Sequence, residues 1–69
     1  MSAECYELVL RGEIGDRFGV LFDGMRLERT GGITVITGPV RDQAHLHGLI
    51  ERIGDLGIDL VSVNRRESA

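Results

Sequence analysis

The segment Asp42 to Gly57, DQAHLHGLIERIGDLG, constrains this chain more than any other. Asp42 is a natural N-cap, because its carboxylate can accept from the free amides of a first helical turn. Leu46, Leu49, Ile50, Ile53 and Leu56 then fall within an arc of roughly 120° on a helix of 3.6 residues per turn. Gln43, His47, Gly48, Glu51 and Asp55 fall outside it. Gly57 stands where a left-handed residue ends a helix. An apolar stripe of this width must be buried against a second layer. The flanking stretches read as strands, so that layer is expected to be a sheet.

From the start of the chain, Cys5 to Arg11 alternates, with Tyr6, Leu8 and Leu10 on one side and Cys5, Glu7, Val9 and Arg11 on the other. Met25 to Thr30 alternates again. Gly31-Gly32 is a hairpin signal, because both residues take positive φ without cost. Ile33 to Thr37 is β-branched and returns as a strand. Gly38-Pro39 is expected to end it, since proline has no amide for the ladder. Ile58 to Asn64 closes the fold, and residues 1–4 and 65–69 are expected to fray.

Between the first two strands, Phe18, Leu21, Phe22 and Met25 have helical spacing, with Asp16 as a cap and Gly24 as a stop. Gly19 costs such a helix about 1 kcal/mol relative to alanine. The pattern predicts a short first helix and the order βαββαβ, which is ferredoxin-like. In that topology the first and third strands are central, the second and fourth lie at the edges, and both helices cover one face. Without the short helix the order becomes βββαβ. Either way residues 1–69 form one α+β domain.

Nearly the whole chain resembles a group of small actinobacterial single-domain proteins. The shared pattern is Asp16-Arg17-Phe18, Phe22-Asp23-Gly24, Thr37 to Val40, Asp42 to Leu49, Asp55 to Gly57, and Ser62-Val63. The resemblance implies a compact single domain and supplies neither an activity nor site residues.

A chain of 69 residues is short, and a domain near 60 residues buries only about 60% of its unfolded surface. Such scaffolds usually add a disulfide, a metal or a partner subunit. Cys5 is the only cysteine, so no disulfide forms within the chain. Cys5, His45 and His47 are too few and too scattered for a zinc spacing, and no metal or cofactor is expected. Oligomerisation remains. The formal net charge is −3, without the basic stripe of a nucleic-acid binder. No apolar run approaches the ~20 residues of a membrane span. Met1 to Glu4 lacks a signal-peptide pattern. A soluble, cytoplasmic chain with a reduced thiol is expected.

Catalytic candidates are weak. Histidines that bind metal from one helix usually stand at i and i+4, whereas His45 and His47 are two apart and point about 200° from each other. His47 and Glu51 have the spacing of an ordinary helical pair. Cys5 lacks an electropositive setting, because Glu4 and Glu7 flank it. Capping and turn geometry account for Asp16, Asp23, Asp42 and Asp55. Gly12 to Asp16 follows a strand, but Glu13 and Asp16 would repel a phosphate.

The sheet's second face carries more information. With Tyr6, Leu8, Leu10, Met25, Leu27, Val35, Ile58 and Leu60 under the helices, the opposite face would expose Cys5, Val9, Ile36, Val61 and Val63. Those five form the expected interface, since an exposed apolar patch usually marks one. The expected function is a non-enzymatic interaction module, forming a homodimer or docking on a larger protein. The alternatives are a small-ligand-binding regulatory domain and a minor enzyme using His47 or Cys5.

Overall fold

The computed structural model describes residues 4–15, 19, 22 and 24–66. They form strands β1 (Glu4–Arg11), β2 (Arg26–Thr30) and β3 (Ile33–Val40), helix α1 (Gln43–Asp55) and strand β4 (Leu60–Arg66). The strands make one four-stranded sheet in the order β2-β3-β1-β4. Every neighbouring pair is antiparallel. This is a small α+β domain with β1 and β3 central and, among the described residues, one α-helix. The described order is βββαβ. Asp16, Phe18 and Leu21, on which the expected first helix rests, lie outside the described residues. Gly19 and Phe22 occupy 3₁₀ turns, and Phe22 is buried.

The helix forms as its sequence dictates. Asp42 accepts from the His45 N–H at 2.8 Å. At the other end Gly57 has φ 75°. The Gly57 N–H donates to the Gly54 carbonyl at 3.0 Å and the Ile58 N–H to the Ile53 carbonyl at 3.1 Å. This pair of bonds is a Schellman motif, which satisfies carbonyls the helix leaves free. Leu46, Leu49 and Ile53 turn inward against Leu8, Leu10, Ile36 and Val40. Each fully buried side chain of this kind contributes about 1.5–3 kcal/mol of transfer energy.

The hairpin turn is built by Gly31 and Gly32, with φ 55° and 82°. Both values are positive, as a two-residue turn between twisted strands requires. The turn places Thr30 opposite Ile33 and Leu27 opposite Ile36. Ile36 therefore shares the covered face with Leu27 and is fully buried, while Val35 belongs to the other face. This reverses the expected parity of the third strand. Thr34 also faces inward. Its hydroxyl donates to the Gly12 carbonyl at 2.8 Å and accepts from the Ile14 N–H at 3.0 Å. With both bonds made, a buried hydroxyl carries no desolvation penalty, and it ties the segment after β1 to β3.

Three further expectations change. β3 runs through Pro39 to Val40, paired with Cys5 and Glu4. β2 ends at Arg26, opposite Thr37, so beyond that point β3 has a neighbour on one side only. A proline is tolerated where its missing N–H faces an open edge. Secondly, of the residues expected to fray, 1–3 and 67–69 lie outside the described residues, and the other three are paired in the sheet. Glu4, Arg65 and Arg66 are in strands, and Arg65–Glu4 and Arg66–Glu7 ion pairs close at 3.2 and 2.7 Å. Thirdly, β4 contains a bulge. Val9 pairs with Ser62 but Leu10 pairs with Leu60, leaving Val61 as the extra residue. The bulge turns Val63 onto the covered face opposite Leu8, where it packs against the core.

Gly38 is buried beneath Met25. A Cβ on Gly38 would lie 2.7–2.9 Å from the Cγ, Cα and Cβ of Met25. Gly38→Ala is expected to destabilise the fold by about 1–3 kcal/mol through overpacking. Gly48→Ala, where a Cβ meets nothing within 4 Å, is expected to add up to about 1 kcal/mol from helix propensity. Urea unfolding of both variants checks the opposite signs. Thr34→Val strands the Ile14 N–H and is expected to cost about 1–3 kcal/mol in the same assay.

Candidate functional site

The helix covers one side of the sheet and leaves the other open, and the pairing registers define the open face row by row. Pro39, Cys5 and Arg66 form one row across β3, β1 and β4. Arg26, Thr37, Glu7 and Asn64 form the next, across all four strands. Glu28, Val35, Val9 and Ser62 form the third. Thr30, Ile33 and Arg11 close the face.

Val9 and Val35 are direct partners at its centre. Cys5, Val9, Ile33 and Val35 are all half-buried. Cross-strand contact alone shields such side chains in part, and the remaining apolar surface faces outward. Charges of both signs surround this strip. Arg66 donates to Glu7 at 2.7 Å, and Arg11 lies 3.8 Å from Asp59. Arg26 and Glu28 are exposed on β2. Between them and Arg66 the face dips into a shallow depression of about 310 Å³, lined by Cys5, Glu7, Val35 and Thr37.

Of the five residues expected on this face, Cys5 and Val9 lie on it. Val61 is 52% exposed at the bulge on the edge strand. Ile36 and Val63 are on the covered side. Val35 and Ile33 take their place. Their position was deducible, because a two-residue turn sets Leu27 opposite Ile36 and so puts Val35 on the opposite face from Leu27. The bulge that moves Val63 has no signal in the sequence.

His45 takes part in capping the helix, and His47 is exposed on its surface. The His45 Nδ1 accepts from the Arg41 N–H at 3.0 Å, while the His45 backbone N–H donates to the Asp42 Oδ1. The side chain of the third helical residue thus reaches back past the cap, much as the glutamate of a capping box does. His47 and Glu51 are exposed one turn apart. Cys5 is a free thiol. Among the described residues, no three His, Cys, Asp or Glu side chains are grouped to hold a metal ion. Among the same residues, no helix is long and apolar enough to cross a membrane.

A family model described as a domain of unknown function, DUF8691, matches residues 5–64. The chain belongs to this family. No curated protein and no solved structure matches it. The matched span begins at Cys5 and ends at Asn64, so it takes in the whole helix, β2 and β3 and nearly all of β1 and β4.

Asp42→Ala removes the cap and is expected to lower stability by about 0.5–2 kcal/mol. His45→Ala, which frees the Arg41 N–H at an exposed position, is expected to cost less. Guanidinium unfolding of the two variants gives the order.

Proposed function

We propose that this domain is a non-enzymatic assembly module that forms a homodimer through the open face of its sheet. The observation that carries this reading is the Val9–Val35 pair at the centre of that face, ringed by charges of both signs. A solvated face of an antiparallel sheet is mostly polar. Here the two central strands pair Val9 with Val35 and Cys5 with Pro39, with the Glu7–Thr37 row between them and Arg11 beside Ile33 at one end. Packing two such faces about 10 Å apart gives a sandwich. It also adds the burial that a chain of this size lacks alone.

The face measures roughly 19 by 26 Å, from four strands about 4.8 Å apart and eight residues at about 3.3 Å. That is the small end of specific interfaces, so the dimer is expected to be weak and concentration-dependent. A C2 interface uses one patch on both subunits and must be self-complementary, and a rim of mixed sign meets that requirement. The same reading takes the fold as a ferredoxin-like derivative. The antiparallel order β2-β3-β1-β4 with central β1 and β3 supports this, and a second helix would have to come from the segment between β1 and β2.

A small-molecule role on the same face has the depression of about 310 Å³ in its favour. The depression is shallow and carries two arginines and two glutamates, which select neither anions nor cations.

Sedimentation velocity across the micromolar range is expected to show a monomer–dimer equilibrium. Val35→Asp is expected to give a folded monomer, since the new carboxylate stays in water once the faces separate. Ile36→Asp is expected to unfold the chain, because it buries a charge in the core. A wild-type protein that stays monomeric throughout, or a Val35→Asp variant that dimerises unchanged, refutes the assembly role.

A further inference from the structure

Resting on that reading, we infer that the dimer's two-fold axis runs along the strands, between β1 and β3, and that opposite charges on β1 and β2 set this register. A two-fold axis lying in the plane between the two faces has two simple directions. Along the strands, it preserves each row and exchanges β3 with β1 and β2 with β4. Across the strands, it keeps each strand over its own copy and exchanges rows.

The rows on the open face distinguish the two. With the axis along the strands, Val35 lies over the second copy's Val9 and Pro39 over its Cys5. Thr37 then lies over the second copy's Glu7, a hydroxyl against a carboxylate. Ile33 lies over the second copy's Arg11, whose aliphatic stem packs on it. The charges also alternate correctly. β2 carries Arg26 in the row of Glu7 and Glu28 in the row of Val9, next to the row of Arg11. Preserving rows brings Arg26 beside the second copy's Glu7, one strand spacing of about 4.8 Å across. Glu28 comes diagonally beside the second copy's Arg11. Each contact occurs twice. With the axis across the strands, Arg26 would instead meet the second copy's Glu28, but Glu7 would be pressed on Val9 and Thr37 on Val35. That arrangement presses the Glu7 carboxylate, whose partner Arg66 lies in its own chain, onto an apolar side chain instead of a hydroxyl, which costs desolvation with no new bond.

One variant separates the two arrangements. Arg26→Glu with Glu28→Arg in the same chain reverses both charges at these β2 positions, where neither residue forms an ion pair among the described residues. The axis along the strands then sets glutamate beside Glu7 and arginine beside Arg11. The axis across the strands would merely exchange the members of its pairs. The double variant is expected to dimerise at least about tenfold more weakly than wild type at low salt, since like charges oppose association. Mixing it with a chain carrying Glu7→Arg and Arg11→Glu is expected to give a mixed dimer, because both sets of contacts then become attractive.

Sedimentation of each chain and of the mixture, with far-UV circular dichroism to establish folding, reads the result. Undiminished self-association of the Arg26→Glu, Glu28→Arg chain, or no mixed dimer, overturns the register while leaving the assembly role standing. A monomeric wild type removes both.

Discussion

The structure depends first on the register of the hairpin at Gly31-Gly32. Two residues of positive φ hold Thr30 opposite Ile33, and every pairing of β2 with β3 follows. Side chains in a strand alternate, so a shift of one residue would exchange the two faces of β3 entirely. The register brings Ile36 beneath the helix and Val35 to the open side. It also carries Thr34 into the core, where its hydroxyl binds the segment that leaves β1. β3 pairs with β1 along its full length, and that pairing positions Leu8 and Leu10 on the covered face and Glu7 and Arg11 on the other.

The core produced in this way is small and one-sided. Among the described residues its cover is one helix of 13 residues, with Phe22 and Ile14 contributed by the connection between β1 and β2. Polar groups inside it are satisfied, and among the described residues no buried side-chain nitrogen or oxygen lacks a partner. Specificity is therefore well provided for. The shortage is apolar area, which one helix over four strands cannot supply on both sides. The sheet's outer face is where further burial remains available, and its centre is apolar where its rim is charged.

Much of this was legible in the residue pattern. The α1 segment has a cap, a stripe of one width and a glycine stop, and each acts locally, within a turn of the chain. The hairpin is equally local. The strand positions also follow from alternation. What alternation leaves undecided is which side of a strand is inside. In Ile33 to Thr37 the more apolar side, Ile33 and Val35, faces outward. The hairpin register turns the side with Thr34 inward, and Gly12 and Ile14, 22 and 20 positions away, supply that hydroxyl with its two bonding partners. Val63 turns inward through a bulge that arises only when β4 is laid against β1.

The sequence by itself thus determined the four strands, α1, the hairpin turn and the α+β class, because capping, periodicity and positive φ are properties of a few consecutive residues. It also determined that His45 sits at the helix entrance, though not that the ring would cap Arg41. The tertiary structure decided the passage of β3 through Pro39 and the bulge that turns Val63 to the covered face. Those depend on pairing between distant segments, where one residue of register moves a side chain from core to solvent. The open face is therefore centred on Val9 and Val35, a pair that β1 and β3 create only when they meet.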